Sequence, residues 1–109
     1  TTFVHETGGS VDGWVSFGPD REDETRGEVW GLYVAPAAWG SGAARRLLGA
    51  ASDALRDEGF TTLVLWCLEG NDRALRFYRR EGWQLDGGRQ TGDFGPAGSA
   101  VELRLRLAH

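Results

Sequence analysis

Six residues, most of them small, connect a predicted strand to a predicted helix: Trp39, Gly40, Ser41, Gly42, Ala43 and Ala44. Small side chains let a ligand approach the backbone, and the free N–H groups of a first helical turn favour an anion. Arg45 and Arg46 add positive charge beside them. The pattern predicts a phosphate-binding turn, with an ordinary tight strand-to-helix connection as the alternative. It is neither the dinucleotide-binding fingerprint, because the third glycine is missing, nor a P-loop, because there is no lysine.

A second group of candidate residues follows the next predicted strand. Asn71, the only asparagine of the chain, stands where that strand ends and a helix begins. An N-cap role, in which the side-chain oxygen accepts a backbone N–H, competes there with a functional one. Tyr78 lies on the inward stripe of the same helix, with Ala74 and Phe77. By default it is a core aromatic with its hydroxyl at the edge.

Two further side chains could take part in proton or acyl transfer. Glu28 stands at the head of the strand that leads into the glycine-containing turn, although most glutamates are solvated surface residues. Cys67 lies in the middle of a strand and has no obvious histidine partner, so it is expected to be a buried small hydrophobe rather than an acyl-carrying nucleophile.

The composition of the chain excludes several classes of protein. The 109 residues, 40% hydrophobic and 26% charged, predict one globular domain over residues 1–109. A net charge of −4 without a clustered basic stripe argues against a nucleic-acid partner. The longest apolar run, Leu63–Leu68, is far shorter than the roughly 20 residues that span a bilayer. The single cysteine excludes an intramolecular disulfide and permits a reducing compartment.

Hydrophobic periodicity places the candidate residues on strands and helices. The predicted strands are Thr2–Glu6, Gly13–Phe17, Glu28–Val34, Thr61–Leu68, a strand that begins with Trp83–Leu85, and Val101–Leu107. The predicted helices are Gly42–Glu58 and a segment from Asn71 or Asp72 to about Glu81. The segments Gly18–Gly27 and Asp86–Gly98 are predicted to be loops, the first of them solvated because it is mostly charged. Gly31 within a strand predicts a bulge or a close backbone approach.

The order of these elements, β-β-β-α-β-α-β-β, predicts an α/β fold. We expect a mixed, mostly antiparallel sheet with a central parallel strand–helix–strand unit, flanked by helices. The first two strands read as an antiparallel hairpin around the turn cluster of residues 7–10.

Together these features resemble the GNAT family of acetyl-CoA-dependent N-acetyltransferases, over nearly the whole chain and most densely over residues 28–83. The cofactor signature of that family, Gln/Arg-x-x-Gly-x-Gly/Ala, falls on Trp39, Gly42 and Ala44. Trp39 departs from the Gln/Arg position, which is tolerable because the signature acts largely through backbone N–H groups. Also typical of the family are Leu32-Tyr33-Val34-Ala35-Pro36 before the signature and Asn71, Ala74, Phe77, Tyr78 and Gly82-Trp83 after the next strand.

The resemblance implies a function. The chain would transfer an acetyl group from acetyl-CoA to a primary amine of a small molecule or peptide, by direct transfer in a ternary complex without a metal. The pantetheine arm would insert between the strands Glu28–Val34 and Thr61–Leu68. Glu28, eleven residues before Trp39, would be the general base and Tyr78 the general acid. The residues implied to contact the cofactor are Leu32, Tyr33, Val34, Trp39, Gly40, Ser41, Gly42, Ala43, Ala44, Asn71, Ala74 and Phe77.

Domains of this family begin with a strand and two helices ahead of the hairpin with which this chain starts. We therefore expect a longer parent chain or a second chain, for example in a homodimer, to cover the exposed part of the sheet. The expected partners are acetyl-CoA and an amine acceptor, with no nucleic acid and no membrane, and the expected location is cytoplasmic. Two alternatives stay open: a non-catalytic acyl-CoA-binding or regulatory module of the same fold, and an unrelated phosphate-binding α/β domain.

Overall fold

The structure, a computed structural model, describes residues 1–108 of the chain. Its strands are β1 (Thr2–Thr7), β2 (Ser10–Pro19), β3 (Gly27–Val34), β4 (Leu63–Leu68), β5 (Trp83–Asp93) and β6 (Ser99–Leu107). Its α-helices are α1 (Ala43–Asp57) and α2 (Asp72–Arg80). The elements follow one another in the predicted order. They form two compact units, Thr1–Leu63 and the chain from Val64 onward, and the expectation of a single domain stays a prediction.

The first unit is an antiparallel meander of β1, β2 and β3 that packs against α1. The hairpin between β1 and β2 turns at Gly8 and Gly9, whose positive φ angles of 59° and 86° suit glycine. On one face of this meander Val15, Phe17 and Val29 are buried. The apolar stripe of α1 is buried in the same unit at Leu47, Leu48, Ala51 and Leu55. Burial of one such large side chain stabilises the fold by about 1.5–3 kcal/mol.

The connection between β2 and β3 is the largely exposed loop that its charges predicted, with one exception at Asp20. Asp20 is only 3% exposed and forms an ion pair with Arg26. Its carboxylate also accepts a hydrogen bond from the backbone N–H of Glu22 at 2.9 Å. Burial acts to raise the pKa of Asp20, but these donors outweigh it and hold the pKa below its usual value. The expectation of a solvated side chain was wrong at Asp20 alone, because a paired carboxylate can be buried within a charged run.

In the second unit β6 pairs antiparallel with both β4 and β5. Val64, Leu65, Trp83 and Leu105 are almost completely buried. Together with the first unit, these pairs give the mostly antiparallel α/β architecture that the element order predicted.

The segment Asp86–Gly98, which was predicted to be a loop, lies largely within a strand: β5 continues to Asp93. The register with β6 shifts between Leu85 and Arg89, so the glycines lie in an irregularity of the ladder. Asp86 stabilises this irregularity because it accepts a hydrogen bond from the N–H of Gly88 at 2.9 Å and one from Arg104 Nε at 2.8 Å. The prediction failed because pairing with β6 overrides the low strand propensity of glycine.

Candidate active site

The glycine-containing turn lies between a short 3-10 turn at Pro36–Ala38 and α1. Gly40 and Gly42 have φ angles of 81° and 89°, which favour glycine over any other residue. Gly42 is the N-cap of α1 and has no side chain to cap it, and the hydroxyl of the preceding Ser41 accepts a hydrogen bond from the Ala43 N–H at 3.3 Å. The Arg46 guanidinium carbon lies 3.9 Å from the point that a Cβ on Gly42 would occupy, so a positive charge adjoins the turn. The arrangement can bind an anion through backbone N–H groups and the helix dipole.

Trp39, which departs from the family signature, has a structural role here. Its indole Nε1 donates a hydrogen bond to the Val34 carbonyl at 2.9 Å, and the ring is 53% exposed. This bond ties the turn back to the end of β3. The Val34 carbonyl is therefore already hydrogen-bonded within the chain.

Strand β3 contains the bulge that Gly31 predicted. Ser16 of β2 is opposite Gly31, whereas the next residue, Phe17, is opposite Val29, so Trp30 is the extra residue. A Cβ on Gly31 would lie 3.0 Å from Cζ3 of Trp14, so glycine permits this indole to lie close against β3.

Glu28 lies just before this bulge and is half-buried. Burial raises the pKa of the Glu28 carboxyl above its ordinary value, and the nearby Asp20 carboxylate raises it further. Arg21 and Arg26 oppose the shift, and the Arg21 backbone N–H hydrogen-bonds to the carboxylate. A carboxylate of raised pKa is a stronger base once it is deprotonated, which suits it to accept a proton near neutral pH.

In the second unit, Asn71 caps α2. Its side-chain oxygen accepts a hydrogen bond from the Ala74 N–H at 3.2 Å, which accounts for an asparagine at this position without any ligand. The side-chain amide group of Asn71 can still act as a donor.

Tyr78 lies on α2 beside Phe77, with 5.4 Å between the ring centroids. Burial, and secondarily the neighbouring Cys67, raises the pKa of Tyr78 to about 12. Its hydroxyl is therefore protonated at neutral pH and can donate. Burial also raises the pKa of the Cys67 thiol, with Glu102 adding to the shift. A thiol of raised pKa holds little thiolate at neutral pH, as expected for a buried hydrophobe rather than a nucleophile.

The candidate residues are divided between the two units. Glu28, Leu32, Tyr33, Val34 and residues 39–44 belong to the first, and Asn71, Ala74, Phe77 and Tyr78 to the second. Among residues 1–108 no group of three or more His, Cys, Asp or Glu side chains could hold a metal ion. Within the same residues, no helix is both long enough and apolar enough to cross a membrane.

Sequence reasoning missed the exposed aromatic residues of the first unit. The Trp14 and Tyr33 rings stack with 6.4 Å between centroids, and Arg21 lies 5.1 Å from the centroid of the Trp30 ring. Trp14 and Tyr33 are the residues of β2 and β3 that face each other in the ladder. The alternation of residues along each strand indicates which side chains share a face of that strand. It does not give the register between β2 and β3, which depends on the bulge.

The acetyltransferase (GNAT) family profile matches residues 1–83. The chain belongs to the GNAT family. A relative from Mycobacterium tuberculosis, described as a "probable N-acetyltransferase", is 34% identical over 85 residues, which are 78% of this chain and 47% of the relative. The chain spans about half the length, or less, of the curated relatives that it matches.

Solved structures of acetyltransferases have the same fold. A nourseothricin acetyltransferase is 29% identical, with a TM-score of 0.82 over 97% of this chain and 63% of its own. An acetyltransferase from Bacillus anthracis, solved in complex with acetyl coenzyme A, is 17% identical, with a TM-score of 0.82 over 99% of this chain and 61% of its own. The predicted mixed α/β fold class is thereby confirmed.

Proposed function

We propose that this chain transfers an acetyl group from acetyl-CoA to a primary amine of a small molecule or peptide, by direct transfer in a ternary complex. The observation that carries the proposal is the glycine-containing turn at α1, where the N-cap residue is Gly42 and has no side chain of its own. Family membership supports acetyltransferase chemistry, and the fold is shared with an acetyltransferase solved with acetyl coenzyme A. The N–H groups of Gly42 and Ala44 are proposed to hold the cofactor diphosphate, because those of Ser41 and Ala43 already donate to the Ala38 carbonyl and the Ser41 hydroxyl.

Two side chains, Glu28 and Tyr78, are proposed to transfer protons. The Glu28 carboxylate removes a proton from the acceptor ammonium, and the neutral amine nitrogen attacks the thioester carbonyl carbon. A backbone N–H near Val34 is proposed to stabilise the oxyanion that develops there. The nitrogen, which becomes positively charged on attack, releases a second proton to solvent, and the C–S bond breaks, which leaves the N-acetylated product and the thiolate of CoA.

Tyr78 is proposed to act on this leaving thiolate. Its pKa of about 12 exceeds the pKa of about 8.5 of an ordinary thiol, so full transfer of its proton is unfavourable in water. Within a dry site the same exclusion of water raises the pKa of the thiol. The Tyr78 hydroxyl is therefore proposed to donate a hydrogen bond as the negative charge forms on sulfur, and to release its proton while the thiolate is shielded from water.

A charge introduced at the turn tests the proposal. Ala44→Glu places a carboxylate in the first turn of α1, which suits the helix dipole but repels a diphosphate. We expect acetyl-CoA to bind about tenfold more weakly, measured by calorimetry, with no loss of thermal stability. Ala50→Glu is the matched control, because Ala50 is an exposed residue farther along the same helix, and it should change the affinity less than about twofold.

Release of free CoA thiol, measured with and without a panel of primary amines, completes the test. Amine-dependent release supports the transferase. Binding of acetyl-CoA without release under any condition would instead identify a non-catalytic acyl-CoA-binding module. Equal affinity of the Ala44→Glu variant and the parent chain would contradict the proposed diphosphate site.

A further inference from the structure

The Trp30 side chain attaches the loop between β2 and β3 to the bulge of β3. Its indole Nε1 donates a hydrogen bond to the carbonyl of Pro19, the last residue of β2, at 3.2 Å. The ring lies against Gly18, since a Cβ on Gly18 would be only 2.5 Å from Cη2 of the ring. Trp30 is the extra residue of the bulge, so the irregular pairing of β3 places its side chain there.

The same ring also holds a side chain of the loop. The Arg21 guanidinium lies 5.1 Å from the Trp30 ring centroid, within the distance of a cation–π interaction. Arg21 is an exposed residue, and an exposed arginine side chain that contacts nothing samples many rotamers. Trp30 therefore fixes the start of the loop at two points, the Pro19 carbonyl and the Arg21 guanidinium.

Arg21 is also the residue of this loop whose main chain contacts the proposed base. Its backbone N–H donates a hydrogen bond to the Glu28 carboxylate, and its guanidinium favours the charged form of that carboxylate. A hydrogen bond from a fixed main-chain donor restricts the orientation of a carboxylate and leaves other lone pairs to accept a proton. The Trp30 ring is therefore connected to Glu28 through a single residue, Arg21.

Charged groups act on Glu28 from both ends of the loop. Burial raises the pKa of the Glu28 carboxyl and the Asp20 carboxylate raises it further, whereas the charges of Arg21 and Arg26 lower it. Asp20 and Arg26 form an ion pair with each other, so their effects on Glu28 oppose one another. Arg21 is an additional positive charge, and removal of that charge should raise the pKa of Glu28.

We propose that Trp30 is a positioning residue for acetyl transfer: its ring and its indole N–H hold Arg21 where the Arg21 backbone N–H orients the Glu28 carboxylate toward the acceptor ammonium. The inference rests on the proposed function, in which Glu28 is the base, and it adds a residue that acts only through Arg21. A carboxylate that is held in one orientation meets the ammonium proton in a reactive geometry more often, so the effect of Trp30 is expected in kcat.

A double-mutant cycle on the titration of Glu28 tests this connection and needs no turnover. Arg21→Gln removes the guanidinium charge and keeps the backbone N–H. The pKa of Glu28, measured by 13C NMR of its side-chain carboxyl, should therefore rise by about 0.3–1 unit. In the Trp30→Leu background the same substitution should shift this pKa by less than about half as much, because Arg21 is no longer held beside Glu28. An equal shift in the two backgrounds, or no shift in the parent chain, would overturn the inference.

Two further backgrounds assign the effect to the Trp30 ring. Trp30→Phe keeps an aromatic face and should retain most of the shift that Arg21→Gln causes. Trp66→Leu is the matched control: in the second unit Arg104 lies 5.7 Å from the Trp66 ring centroid, and loss of that ring should leave the shift unchanged. If Trp30→Leu does not fold, Gly18→Ala takes its place, because the added methyl group displaces the Trp30 ring without removing it. A shift that is reduced equally in the Trp66→Leu background contradicts the inference.

Kinetics separate the failure of this inference from the failure of the proposed function. With an amine acceptor, kcat of the Trp30→Leu variant should fall about 3- to 10-fold while KM for acetyl-CoA stays within about twofold, and Trp30→Phe should recover most of the loss. An unchanged kcat would contradict the inference and leave the transferase intact. Absence of turnover by the parent chain with any amine contradicts the transferase, and the NMR cycle then still decides whether Trp30 positions Glu28.

Discussion

The two units carry candidate residues of different kinds. The first presents mainly backbone: the end of α1 at Gly42, the glycines at positive φ and the bulged strand β3. The second presents side chains, the amide of Asn71 and the hydroxyl of Tyr78. A backbone site is expected to tolerate a change of residue type, such as Trp39 in the place of Gln or Arg, because peptide groups remain after substitution. A side-chain site loses its chemistry when a single atom is removed.

The largest effect is expected from Tyr78→Phe, which removes one oxygen from the second unit. Turnover should fall about 10²–10⁴-fold, because the leaving thiolate loses its donor. The affinity for acetyl-CoA should change little, since the phenyl ring keeps the packing against Phe77. Steady-state kinetics beside a binding titration measure both. Turnover within about threefold of the parent would mean that Tyr78 is only a packing residue.

Glu28→Gln tests the one side chain of the first unit that is proposed to react. Turnover should fall about 10²-fold or more, and the acidic limb of the pH profile of kcat/KM, which is set by the raised pKa of this carboxyl, should disappear.

The free energy of unfolding of the Glu28→Gln variant should not fall with its turnover. A carboxyl whose pKa is raised on folding stabilises the fold below its unfolded pKa, and that contribution is lost as the pH rises through the folded pKa. At neutral pH the Gln variant should therefore be at least as stable as the parent in urea unfolding. An active variant with an unchanged profile would remove Glu28 from the mechanism.

The smallest effects are expected at Asn71, where two variants separate the cap from a functional role. Asn71→Ala should destabilise the protein by about 1 kcal/mol, because α2 loses its N-cap. Asn71→Asp keeps an oxygen acceptor and should restore stability, but it cannot donate an amide N–H. If Asn71 only caps the helix, the Asp variant has normal kinetics. A weaker affinity for acetyl-CoA in a stable Asp variant would assign a ligand contact to the amide.

Much of the fold was predictable because the sequence patterns that indicate its elements are local. The stripe of α1, the cap at Asn71 and the bulge at Gly31 depend on residues close together in the sequence. The extension of β5 to Asp93 and the burial of Asp20 were not predictable, because each depends on a distant or paired partner: β6 for the strand and Arg26 for the carboxylate.

The candidate site shows the same division. The turn and the candidate side chains could be found by position and by family resemblance, and their roles stay predictions. The stacked Trp14 and Tyr33 rings could not be found in this way, because their contact depends on the register between β2 and β3. That register shifts at one residue, and a shift of one position exchanges the two faces of a strand.

The bulge at Trp30 has a consequence for insertions and deletions. Leu32 and Val34 are opposite Val15 and Gly13, on the face toward α1, and without the bulge every even-numbered residue of β3 would share that face. The extra residue inverts the parity: Val29 is buried and the carboxylate of Glu28 reaches the other face. Deletion of Trp30 would make the ladder regular and leave Glu28 and Val29 on their present faces. If Trp30 were instead retained and paired in a regular ladder, Glu28 would turn inward and Val29 would be exposed, although neither residue had been changed. The pairing of this strand, and not only its composition, therefore determines on which side of the sheet a proton can be accepted.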